Sequence, residues 1–146
     1  MIIKNNEVAR FGKFLLKFEL KGVDSLMRTR FVKLLQEHLD ELNIEKDTLL
    51  QEYAKRDENG EIVSEKNEET DEEFISLTNG REYHLELYKL ESEDFIIEET
   101  PSKMKMLEAV KELVMNCDWL LSGEEAMEFD RWYEIVEDIG VEVEDD

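Results

Sequence analysis

The sequence has one cysteine, one proline, two histidines and six scattered glycines in 146 residues. Each scarcity removes a class of function. Cys117 has no second thiol to join, so neither an internal disulfide nor a paired-cysteine zinc site can form within the chain. Asp118 follows it, a neighbour that does not favour thiolate chemistry, and a buried structural thiol is expected. The glycines make no phosphate-binding loop. His38 and His84 belong to no Glu-x-x-His pair, so a di-iron bundle is excluded. Glu37 and Glu41 lie near His38, a proximity that any helix this acidic produces by chance. No apolar run approaches the roughly 18 residues of a membrane span. The opening MIIKNNEVAR has no secretory apolar core. The expectation is a soluble intracellular protein, with no cofactor, no metal and no membrane partner.

What the chain has in excess is negative charge. It carries 39 Asp plus Glu against 18 Lys plus Arg, a formal charge of −21. Generic binding to nucleic acid or anionic membrane is opposed by that sign. The charge is also segregated. Residues 1–56 sum to +2, residues 57–117 to −12 and residues 118–146 to −11. Hydrophobic residues make up 41% of the chain, enough for a core.

Periodicity places the elements. Ile2 and Ile3 belong to a short strand at 1–4. Val8, Phe11, Phe14, Leu15 and Phe18 share one face of a helix over 6–20. Beside that face, Arg10, Lys13, Lys17 and Lys21 form a basic stripe. Three readings of it stand: a solvated helix edge, a site for an anion or acidic partner, and pairing with the chain's own acidic part. A nucleic-acid site there is opposed by the net charge. Gly22 punctuates the chain, Asp24 or Ser25 caps, and a helix over 25–56 carries Phe31, Leu35, Leu42 and Leu49. Together the two helices make an αα-hairpin.

Residues 57–73 hold nine acids and one lysine, and with the following residues to 80 read as an exposed acidic loop. Residues 74–92 fit either strand or helix. The helix is favoured over 81–92, with Asn79 as its cap. Phe95–Ile97 reads as a strand able to pair with Ile2-Ile3. Thr100-Pro101 opens a helix to 116, burying Met106, Leu107, Val110 and Leu113. Ser122 and Glu125 form a capping box, and Gly140 ends the helix that follows. On that helix Phe129, Tyr133 and Val136 are expected in the core, with Trp132 as an exposed aromatic anchor. Glu124, Glu125, Glu128, Asp130, Glu134, Glu137 and Asp138 complete a candidate acidic interface around Trp132. The fold class expected is mainly α, an αα-hairpin with a long second helix packed by two or three further helices and a minor two-stranded β element. Residues 1–56, 57–80 and 81–140 form a single domain in this reading, and residues 141–146 an acidic tail.

The segments MRTRFVKLLQEHLDELNIEKDTLLQEYAKRDENGE (Met27–Glu61) and LSGEEAMEFDRWYEIVE (Leu121–Glu137) add a resemblance. In character and order they resemble a domain-of-unknown-function family of small acidic proteins encoded by phages and prophages of Gram-positive bacteria. The resemblance implies a phage gene acting inside or upon a bacterial host, and carries no catalytic or binding residues with it. The function expected is a non-catalytic protein-binding module that inhibits or modulates a host protein, a defence or nucleic-acid-processing one, through an acidic surface. The alternative is an accessory protein of the virion or tail, for which a basic head and acidic remainder suit assembly, including homo-oligomers. A small enzyme is the third reading, and no motif supports it.

Overall fold

The computed structural model describes residues 1–141, so apart from Val141 the expected acidic tail lies outside the described residues. The chain is mainly helical, with five helices and two small antiparallel sheets among the described residues. In order these are β1 (Ile2–Lys4), α1 (Asn5–Leu16), α2 (Gly22–Tyr53), β2 (Ser64–Lys66), β3 (Glu73–Ile75), α3 (Gly80–Ser92), β4 (Asp94–Ile96), α4 (Met104–Met115) and α5 (Gly123–Glu137). They divide into two compact units. The first is Met1–Leu39 with the chain from Asp94 onward, and the second is Asp40–Glu93. The helix α2 runs unbroken through the boundary, as expected for a stretch without Pro or Gly in its interior.

In the first unit α1 and the start of α2 form the expected hairpin. Phe11 meets Phe31 edge to face, with ring centroids 6.0 Å apart. Val8, Leu15, Leu35, Leu107, Val110, Val114 and Val136 complete a sealed core, each contributing about 1.5–3 kcal/mol for the larger side chains. The helix α1 stops at Leu16 instead of reaching 20. Arg28 of α2 reaches back, donating through Nη1 to the carbonyls of Leu15 (2.9 Å) and Phe18 (2.7 Å). A guanidinium thus bonds two carbonyls at and just past the helix end, where positive charge is favoured. The small sheet pairs β1 with β4 antiparallel, Ile3 opposite Phe95 and Lys4 opposite Asp94. This is the pairing expected from the two apolar segments. The helix α4 begins at Met104, one turn later than Pro101 suggests, because Pro101–Lys103 form a separate turn. Leu113, Phe18 and Phe129 are only half-buried, at the edges of this core.

The second unit contains the rest of α2, the β2–β3 hairpin and α3. The hairpin corrects the expectation of a plain loop over 57–80. Ser64 pairs with Ile75 and Lys66 with Glu73. Its turn is built by polar chemistry: Asn67 Oδ1 accepts from the Glu69 N–H at 2.9 Å, and Asp71 adopts a left-handed φ of 60°. Strand side chains there are almost all exposed, so no apolar alternation marks them in the sequence. The helix α3 starts where Asn79 predicts, its side-chain oxygen accepting from the Glu82 N–H at 3.1 Å. Among hydrophobic residues of this unit only Leu42 and Ala54 are buried, and Leu49 is half-buried.

Candidate functional site

The helix α5 sets the geometry of the first unit's surface. Its inner residues are Trp132, Ile135 and Val136, continued by Ile139 just past its end, a stripe spaced three, four and seven residues apart. Trp132 is 1% exposed and stacks on Phe11 at a centroid distance of 5.0 Å. Tyr133 is 36% exposed. The expected roles of these two are therefore exchanged. The physical reason is that the stripe led by Trp132 buries more apolar surface than the one led by Ala126 and Phe129. The spacing of Trp132, Ile135, Val136 and Ile139 carried that signal.

The acids of α5 separate into two groups. Glu128 accepts from Arg10 of α1 at 3.0 Å, and Glu125 lies 3.6 Å from Lys17. Glu134 pairs with Arg131 one turn earlier, at 2.9 Å. Glu124, Asp130, Glu137 and Asp138 are exposed and make no ion pair among the described residues. Met127 and Tyr133 stand exposed on the same outer side. The expected interface residues are thus partly brought together as an outward acidic face, with Trp132 removed from it. Ser122 precedes the helix, but its hydroxyl makes no capping bond. Gly123 enters the helix at a left-handed φ of 59°, so the regular capping-box geometry is not formed.

The basic stripe turns inward to this helix. Arg10, Lys13 and Lys17 line a cleft of about 450 Å³ with Phe14, Trp119, Leu121, Glu125 and Glu128. Trp119 stacks on Phe18 at 4.2 Å, and Leu120 beside it is fully exposed. Two of the three cations are held by α5 carboxylates, which is the third reading of the stripe. Lys21 is not part of it, because α1 has ended and Lys21 sits exposed in the connection. The Trp119-Leu120-Leu121 run lies between two helices, and only its place in the fold makes it a cleft wall. No Ser, Thr, Cys, His or Tyr lines the cleft. It combines an apolar floor with charged side chains, of which Arg10 and Lys17 are paired to Glu128 and Glu125.

On another side, Arg131 clamps Glu7 through Nε (2.7 Å) and Nη2 (3.1 Å). Glu7 also accepts from the Lys4 N–H at 3.1 Å, closing the first turn of α1. Burial pushes the Glu7 carboxyl up, but its hydrogen bonds from Arg131 and Lys4 and the charges of Arg131 and Arg10 outweigh this and hold it below the usual value. The same hydrogen bond raises Arg131. His38 is a structural residue: Nε2 lies 2.7 Å from Asn5 Oδ1, and the ring stacks on Phe95 at 3.6 Å. Cys117 is half-buried, less enclosed than expected. Among the described residues no group of three His, Cys, Asp or Glu side chains is arranged to hold a metal. No helix among them is long and apolar enough to cross a membrane. In the second unit, the Tyr53 hydroxyl donates to Glu82 at 2.9 Å, and that carboxylate pushes it up to about 12.

No family model, curated protein or solved structure matches the chain.

Proposed function

We propose that the protein is a non-catalytic binding module whose acidic surface engages a basic surface of another protein. The observation that carries this is the division of labour on α5. Arg10, Lys17 and Arg131 are spent on Glu128, Glu125, Glu7 and Glu134, while Glu124, Asp130, Glu137 and Asp138 are exposed and make no ion pair among the described residues. Such a face attracts cationic surfaces over a Debye length of about 8 Å at physiological salt, and close charge pairs then fix the register. Met127 and Tyr133, also exposed on α5, add apolar area to this surface. The phage and prophage resemblance directs the reading to a bacterial host protein, and a groove that otherwise holds phosphates is the natural complement to dense carboxylates.

The test is affinity capture from bacterial lysate at modest salt, comparing the wild-type chain with Asp130→Lys/Glu137→Lys. Both positions are exposed, so the variant keeps its fold. The expected result is a basic protein retained by the wild type and lost by the variant. Recovery of no host protein, or of the same protein by both chains, counts against the proposal.

A further inference from the structure

The second unit carries a surface that the α5 reading does not use. The helix α3 is amphipathic, 13 residues long, and has no buried residue. An isolated helix of that length is marginal in water, so packing must hold it. Within the unit that packing is thin, since Leu42 and Ala54 are its only buried hydrophobic residues. Between α3 and the C-terminal half of α2 runs a groove of about 450 Å³. Its apolar part is Ile44, Leu49 and Leu90, and Ile44 is 68% exposed. Its rim carries Glu45 and Glu52 from α2, with Glu86 from α3 and Glu93 just past its end. The single cation there, Lys89, is engaged by Glu86 at 3.1 Å.

An apolar trough between two helices is the complement of a third helix, which would complete a small bundle. The rim decides which helix. Residues 40–93 hold 18 acidic and 6 basic side chains, a net −12. Two copies of so acidic a unit repel one another. A helix with an apolar stripe flanked by Lys or Arg satisfies both the floor and the rim. We infer that the α2–α3 groove is a docking site for a basic amphipathic helix of a partner protein. This inference stands apart from the α5 proposal, because it concerns another unit and an apolar floor.

The experiment uses the full chain and a fluorescent synthetic amphipathic peptide of leucine and lysine, with a leucine–glutamate peptide of the same pattern as control. Fluorescence anisotropy is expected to show saturable binding of the lysine peptide alone. Ile44→Ser should weaken it about tenfold as loss of a central apolar anchor, and Glu45→Lys/Glu52→Lys should do the same. Circular dichroism checks that these exposed changes leave the helices intact. Asp130→Lys/Glu137→Lys on α5 should leave peptide binding unchanged, which separates this site from the α5 face. Equal binding of both peptides, indifference to Ile44→Ser, or loss of binding through the α5 changes alone would each overturn the assignment. So would a dimer in sedimentation that Ile44→Ser dissolves, since the occupant would then be a second copy.

Discussion

Glu7 and Arg131 are separated by most of the chain, and their clamp joins the first turn of α1 to α5. The fold lowers the Glu7 pKa from its ordinary value of 4.5. Its stabilisation is therefore present above that value and is lost as pH falls through the lower folded value. Glu7→Gln is expected to cost roughly 1–3 kcal/mol near neutrality, because Arg131 loses a charged partner in a largely enclosed place. Urea unfolding at stepped pH measures it. The gap between wild type and variant should be full above 4.5 and close in acid; a gap that widens in acid would contradict the clamp. Trp132 and Tyr133 give a second contrast at this scale. Trp132→Ala should cost about 3–5 kcal/mol and Tyr133→Ser less than about 1 kcal/mol. Equal losses would mean the helix presents the other face.

Elements differ in how far the sequence reveals them. Phe11, Leu15, Phe31 and Leu35 mark the α1–α2 hairpin because each element buries one continuous stripe. The β1–β4 pair is equally legible, from two short apolar runs at distant positions. The β2–β3 hairpin is not, because its strands bury almost nothing and its turn is defined by Asn67 and Asp71 hydrogen bonding. Acidic composition then resembles a loop. The α5 face was legible as a set of acids but not in its orientation, since adjacent stripes of similar apolarity compete and the large ring of Trp132 decides between them. The cleft beside Trp119 depended wholly on the packing of α1 against α5. Thin burial in α3 and the hairpin also has a dynamic consequence. Their amides should exchange with deuterium well before those of α1, α4 and α5, because local opening there exposes little apolar surface. Uniform protection across all elements would contradict that.

At the scale of the whole molecule, the charge of −21 is an arrangement as much as a total. Arg10, Lys17 and Arg131 are paired within the first unit, and Glu124, Asp130, Glu137 and Asp138 make no ion pair among the described residues. The basic stripe that suggested an anion site is largely consumed by the chain's own Glu125 and Glu128. Acidic surfaces also aid solubility, and the proposal of a binding surface rests on the orientation of α5. The most direct measurement is the affinity of the captured partner for wild type and for Asp130→Lys/Glu137→Lys at low and physiological salt. The acidic face predicts at least about tenfold weaker binding by the variant, and a wild-type affinity that falls as salt rises. Equal affinities, unchanged by salt, would contradict it.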